Sequence, residues 1–508
     1  MINTSILTKK RHNSRQIGVI IVFFFVVQIL FLHADPDSII GRSSRDAFTD
    51  EGMYSEQIRY FLRTGNWHFF SDALVKSVGW TAWLTPFIAA FGHSLWAARI
   101  ATLVASALIL LYLQRVSDRF NALFLPFFIL VFLQFYVFQY AHYALAELPA
   151  VLCGLAATVL LIDGLADDIK PVSSVVSSVI WCFLAVLLKF QYVYLMALPT
   201  VSIIFIIIYK LLTSKYLDKK KLQLFFAILA TTIGATLIYV LAVYLPFRAE
   251  IDSVFSWQTQ LRLQGGSAGS AYRAPAPQSF WAVLIWGKRV NYYFLLYAVA
   301  IIFLLRKIIL DYKKNKFFDD SSALLPILIS MIWVGLESHK LLLVYMPYRY
   351  LLGLFVAVGF SILLIINYLN INKKIFYGLL CATGVLHSTL IIQAVNRRDY
   401  GIERANAYFT QTYKNETTPI IGAWGASLVR RSAAPVVPVW TGWRNTEVIS
   451  RHAPRLILVD SLEDGLLTQL RAEGISDLEA ASDSSRTFSL GNGAWTVRAY
   501  WLKSQKPK

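Results

Sequence analysis

The chain has 508 residues, of which 56% are hydrophobic and 15% charged, with a mean hydropathy of +0.54 and a formal net charge of +18. Such a composition excludes a soluble globule and implies a membrane protein. The basic excess needs no nucleic acid to explain it, because the Lys and Arg residues cluster in short segments between apolar runs.

Eleven runs reach bilayer-spanning length: about 17–33, 94–113, 121–138, 148–163, 173–188, 192–209, 222–245, 286–305, 323–337, 350–369 and 375–393. Runs 148–163 and 323–337 are short and are expected either to tilt less or to extend into their flanks. Residues 80–92 read as a half-helix, since Pro86 and Gly92 argue against a full span. The first run has a basic start, with Lys9, Lys10, Arg11 and Arg15, but no small-residue cleavage site, so it is expected to remain as an anchor. With the N-terminus inside, eleven spans place the basic clusters at 210–221, 306–316 and 373–374 on the inner face. These clusters suit anionic headgroups. Cys153, Cys182 and Cys381 all fall within predicted spans, and their spacing is not that of a metal site.

The long polar segments, 34–93, 246–285 and 394–508, then share the outer face. The stretch from Arg45 to Asn66 carries a helical pattern. Tyr54, Ile58, Phe61 and Leu62 form one apolar stripe, and Gly65-Asn66 supplies a stop. It reads as a short amphipathic helix on the membrane surface, with Asp50 and Glu51 at its N-terminal tip. The centre of 246–285 is rich in Gly, Ser, Ala and Pro and is expected to be mobile. Residues 396–508 change character. Short β-like runs (PIIGAW, PVVPV, RLILVD, WTVRAYWL) alternate with helical candidates near 402–413 and 463–473. They predict a small extracytoplasmic α/β domain, with a division into 1–393 and 394–508. The sequence shows neither a nucleotide fingerprint nor an internal repeat.

Several outer-face residues carry candidate chemistry. Asp50 suits a helix N-cap, but it also shares the outer face with Glu147, a carboxylate at the mouth of a span. Lys189, Lys340 and Arg349 suit snorkelling at span ends and equally suit contact with a phosphate, and His339 adds a further possible cation beside Lys340. A carboxylate can take the proton of an acceptor hydroxyl while cations neutralise a departing phosphate. That combination points to sugar transfer from a lipid phosphate. Phosphate leaves readily, so one base suffices, unlike the paired carboxylates of hydrolytic glycosidases. A divalent metal is conceivable on the oxygens of Asp50 and Glu147. Two other classes compete. A transporter or lipid flippase would place charges and broken helices at mid-membrane, and a lipid-diphosphate-dependent polymerase or ligase would favour bases over acids.

The same residues resemble the GT-C-type glycosyltransferases that use polyprenyl-phosphate donors, among them the protein O-mannosyltransferases, the lipid A aminoarabinose transferases and the rhizobial galacturonic acid transferases. The resemblance rests on Asp50-Glu51, Tyr54, Gly65-Asn66-Trp67, Phe91-Gly92 and Ala98-Arg99, then Glu147-Leu148-Pro149, Lys189, and Lys340-Tyr345-Pro347. It departs from the pattern at Glu147, where Asp is usual, and before Lys189, where Thr is usual. It implies a GT-C-like polytopic α-helical fold of about eleven transmembrane helices. It also implies Asp50 as general base, Glu51 and Glu147 as supporting acids, and Lys189, Lys340 and Arg349 as donor-phosphate contacts. Tyr54, His339 and Tyr345 complete the expected substrate-binding set. The implied partners are a polyprenyl-phosphate sugar, a glycolipid, polysaccharide or protein acceptor, and membrane lipids. The implied location is a bacterial inner membrane.

Overall fold

The computed structural model describes residues 14–37, 43–67, 73–166, 171–214, 219–263, 291–313, 321–342, 348–413, 415–439, 447–460 and 464–503. The chain opens with helices α1 (Ser14–Gln28), α2 (Ser43–Thr64), α3 (Ala73–Lys76) and α4 (Val78–Phe91). A run of apolar helices follows: α5 (Leu95–Val116), α6 (Asp118–Phe127), α7 (Phe135–Ala141), α8 (Glu147–Ala166), α9 (Pro171–Leu188), α10 (Ala197–Ser214) and α11 (Lys219–Tyr239). Beyond α12 (Arg248–Leu263) come α13 (Asn291–Lys313), α14 (Ser321–Ser338), α15 (Leu352–Leu369) and α16 (Lys373–Asn396).

Among the described residues nine helical stretches are long and apolar enough to cross a membrane, or ten if the bent α6–α7 pair is one span. Arg15–Phe31 and Val78–Phe91 are shorter apolar helices. The two short runs do extend, to Glu147–Ala166 and Ser321–Ser338. The span expected at 121–138 is not straight: the helix loosens over Phe128–Phe132, turns through 92° and restarts at Phe135. Two side chains satisfy the N–H groups freed there, as an apolar setting demands. Gln134 caps the new start through Val137 N (2.9 Å), and Phe135 N donates to His387 Nδ1 (3.2 Å).

Burial sorts the helices into inner and outer. The apolar windows of Glu147–Ala166 and Tyr348–Leu369 are 94% and 89% buried, whereas those of Lys219–Tyr244 and Tyr292–Lys313 are each 17% buried. Helices that are apolar all round divide in this way, with α8 and α15 at the centre and α11 and α13 presenting their side chains outward.

The C-terminal part holds α17 (Gly401–Thr412), α18 (Gly425–Leu428), α19 (Val448–His452), α20 (Asp464–Ala472) and strands β1 (Ile420–Ile421), β2 (Val436–Val437), β3 (Leu456–Asp460), β4 (Ser482–Leu490) and β5 (Trp495–Leu502). The sheet order is β2-β1-β3-β5-β4. β1 pairs in parallel with β2 and β3, as in Ile420 opposite Leu456, and β5 runs antiparallel to β3 and β4. β4 is the strand that the apolar runs did not announce. Its sequence, SDSSRTFSL, is polar, and only Ser482, Phe488 and Leu490 turn inward.

The largest correction concerns α2. It starts at Ser43, so Asp50 and Glu51 lie about two turns inside the helix and neither is an N-cap. Residues 51–59 are buried on every face, while Leu62 is exposed. The polar face is covered by the C-terminal domain. Arg59 donates to Ser432 O and to Ala434 O (2.6 Å), and Gly52 leaves no room for a Cβ against Ala426 and Ser427. Gly65, at φ 72°, ends the helix as its sequence implies.

Candidate active site

Four charged side chains meet, three of them at helix ends and one within α2. α2 supplies Asp50, with Tyr54 one turn on. Glu147 is the first residue of α8, where the helix dipole favours a carboxylate. Lys189 follows α9 in an extended conformation (φ −156°, ψ 113°). Arg349 lies in the single turn Tyr348–Leu351 that leads into α15. Arg349 joins the two acids: Nη2 is 3.0 Å from Asp50 Oδ2, and Nε is 3.2 Å from Glu147 Oε1. Lys189 Nζ also pairs with Glu147 Oε1. The Tyr54 and Tyr350 rings flank Lys189, each 5.7 Å from Nζ, and Arg349 lies 5.2 Å from the Tyr350 centroid. Burial, then the neighbouring charges of Glu147 and Asp50, push the Tyr54 phenol well above its usual range and keep it neutral.

Exposure separates the roles. The Glu147 side chain is 0% exposed and that of Lys189 4%, whereas that of Asp50 is 21% exposed. Asp50 is therefore the most exposed of the four, and the other three are buried around it.

Glu51 points elsewhere. Its two oxygens accept from Arg99 Nε and Nη2, both at 2.8 Å, and Oε1 also accepts from Ala144 N (2.6 Å). Arg99 Nη1 donates to Phe31 O (2.5 Å) and Ala34 O (2.6 Å). This buried knot ties α2 to α5, to the chain after α1 and to the turn before α8.

Lys340 forms a second cluster. Nζ lies 2.7 Å from Glu337 Oε2, with the rings of Tyr192 and Tyr194 at 4.5 Å and 5.1 Å. Glu337 also accepts from Tyr194 Oη (2.8 Å) and Trp333 Nε1 (3.2 Å). His339 is exposed, with Nδ1 2.5 Å from Leu336 O and its ring 4.6 Å from that of Tyr194. Tyr345 and Pro347 lie outside the described residues. The structure thus gathers Asp50, Tyr54, Glu147, Lys189 and Arg349, sets Glu51 against Arg99, and places Lys340 with Glu337. Glu337 is the residue that the sequence reasoning left out of the site. Its spacing from Lys340, three residues along a helix, was the available signal. Among the described residues no group of three His, Cys, Asp or Glu side chains clusters as a metal site. Asp50 and Glu147 each face the guanidinium of Arg349 instead.

The fold is a polytopic helical membrane architecture of GT-C type with a small sheet domain at its C-terminal end, as the resemblance implied. Two crystal structures with this fold are those of ArnT from Cupriavidus metallidurans. The form bound to undecaprenyl phosphate matches with a TM-score of 0.57 at 15% identity, over 96% of this chain and 99% of that one. The apo form matches with a TM-score of 0.58 at 13% identity, over 96% and 97%. At that identity the likeness is one of fold. No family model and no curated protein sequence matches the chain.

Proposed function

We propose that the protein is an inner-membrane glycosyltransferase of bacterial type, moving a sugar from a polyprenyl-phosphate donor to an acceptor hydroxyl on the periplasmic face. The observation that carries this reading is the array Asp50–Arg349–Glu147–Lys189, a partly open carboxylate backed by two buried cations at the ends of membrane helices. The undecaprenyl phosphate held by the ArnT neighbour supports a lipid-phosphate ligand for this fold. In the reaction, Asp50 takes the acceptor's hydroxyl proton, and the acceptor oxygen bonds to the sugar's anomeric carbon. The bond from that carbon to the phosphate oxygen breaks, and polyprenyl phosphate leaves with the electron pair. Arg349 and Lys189 stabilise the charge that grows on the phosphate. Glu147 holds both cations in place. The unit 1–393 would carry the reaction and 394–508 would stand outside the membrane.

The test is transfer from a panel of radiolabelled polyprenyl-phosphate sugars in membranes bearing wild type, Asp50→Asn or Glu147→Gln, with insertion checked for each. Transfer by wild type and none by Asp50→Asn is the expected result, and the labelled product identifies the acceptor. Wild-type rates from Asp50→Asn would sink the base assignment. No transfer by wild type from any donor would move the flippase and diphosphate-dependent ligase readings ahead.

A further inference from the structure

The C-terminal sheet has three parallel strands in the order β2-β1-β3. The chain leaves β1 for one side and later returns to the other. In open α/β sheets the crevice outside the carboxyl ends of such strands, at the point where the order reverses, is where ligands bind. Here the two residues that define that crevice are Asp460, the last of β3, and Trp424, three residues after β1. A side chain from α2 already fills it. Arg45 Nε lies 2.5 Å from Asp460 Oδ2 and Nη2 lies 3.4 Å from Oδ1, with both side chains at most 5% exposed. Trp424 Nε1 donates to Asp460 Oδ2 (2.9 Å), and the Arg45 guanidinium lies 5.8 Å from the Trp424 ring. One turn further along α2, Phe48 packs on Trp424 at 5.6 Å, and its carbonyl accepts from Ser427 Oγ.

We propose that the C-terminal domain takes α2 as its built-in ligand at this crevice, and that Arg45 and Asp460 are positioning residues for Asp50. The proposal rests on the reading of Asp50 as the base. A buried ion pair contributes little net stability, and its best-attested use is to fix register. Asp50 follows Arg45 by about one and a half turns of the same helix, so a slip or roll at Arg45 is transmitted rigidly to Asp50 and to its contact with Arg349. The domain then has a definite task. It holds the acid-bearing helix from the polar side while the membrane helices hold it from the other.

The experiment uses the full chain in lipid nanodiscs with Arg45→Met, Arg45→Lys, Asp460→Ala and the Arg45→Met/Asp460→Ala double variant. Amide hydrogen exchange over residues 50–59 reads the seating of α2 independently of activity. Steady-state transfer reads its consequence. The expected result is faster exchange over 50–59 in Arg45→Met and Asp460→Ala, with the double variant no worse than either single one. kcat should fall by about 100-fold, the scale of a 1 Å misplacement, with little change in donor KM. Arg45→Lys, which keeps the cation, should recover part of both. Unchanged exchange in the single variants overturns the proposal. So does faster exchange with unchanged kcat while Asp50→Asn is inactive. If wild type transfers nothing, the glycosyltransferase reading has failed, and the exchange data still decide whether the domain seats α2. Variants that fail to insert are replaced by Asp460→Asn, which removes the charge and keeps the shape.

Discussion

Glu51 and Arg99 face each other fork to fork, two N···O contacts of 2.8 Å between side chains that are both fully buried. Removing one partner of such a pair leaves the other as an uncompensated charge, which costs about 3–5 kcal/mol. Glu51→Ala and Arg99→Ala are each expected to lower thermal stability by that order. Replacing both with apolar residues, as in Glu51→Leu/Arg99→Met, is expected to cost much less than the sum. Thermal unfolding in detergent checks this. Equal losses in the double variant and in the sum would show that the two residues do not act as a pair.

Arg349 serves two carboxylates at once, 3.0 Å from Asp50 and 3.2 Å from Glu147. Its removal strips both of a cation and, in the proposed reaction, takes one from the departing phosphate. Arg349→Gln is therefore expected to reduce the transfer rate by about 100- to 1000-fold, the range seen when a preorganised donor is lost. Arg349→Lys should recover only a fraction, because an ammonium cannot reach both acids as the guanidinium does. Since Arg349 and Lys189 already give these acids their cations, EDTA is expected to leave the rate intact. A loss that Mg²⁺ or Mn²⁺ restores would show that a metal joins the site.

His93 predicts a pH dependence. It bridges α2 and the C-terminal domain, with Nε2 2.9 Å from Ser55 Oγ and Nδ1 2.9 Å from Arg430 O. Burial, then the nearby charges of Arg59 and Arg430, hold its imidazole well below the usual range. Burial also pushes the Arg430 guanidinium down to about 10. The folded protein thus keeps His93 neutral, while the unfolded chain binds a proton near pH 6.5. The stability this provides is complete above that value. It is lost as the pH falls below it, by about 1.4 kcal/mol per pH unit for one proton. Thermal melts of wild type and His93→Asn between pH 7.5 and 5 should converge as the medium becomes acidic. Parallel curves would exclude His93 as the source.

The parts of this architecture that local pattern controls were readable in the sequence. The long apolar runs, Gly65 as a helix stop, and the β1, β2, β3 and β5 segments follow from hydropathy and turn chemistry acting on neighbours. β4 was not readable, because its face alternates Ser, Arg and Thr with few apolar residues. The better sign was its turn, Gly491-Asn492-Gly493, in which all three residues adopt positive φ. The break between α6 and α7 was hidden because the ring nitrogen that satisfies Phe135 N belongs to His387, 252 residues away. Glu147, Lys189 and Arg349 could each be proposed singly from their positions at span ends, and Asp50 from its place in an outer polar segment. Their assembly could not, since it depends on how four helices pack. The burial of α2 was missed for a related reason. Its polar residues looked solvated, yet Arg45 and Arg59 find their partners more than 370 residues further along the chain.

Gly353, in the first turn of α15, gives the second cluster a test of its own. A Cβ there would run into the carboxylate of Glu337, the group that holds Lys340 and accepts from Tyr194 and Trp333. Gly353 faces an ordinary helical backbone, so the requirement is space and not conformational freedom. Gly353→Ala is expected to displace Glu337 and to destabilise by about 1–3 kcal/mol, the scale of overpacking in a filled interior. If Lys340 contributes to donor binding, the same variant should raise donor KM while leaving the pH profile set by Asp50 unchanged. If Lys340 is structural, stability alone should fall. Donor KM and thermal unfolding of Gly353→Ala, measured side by side, separate the two: a raised KM assigns Lys340 to the donor, and an unchanged one makes the cluster a brace between α14 and α15.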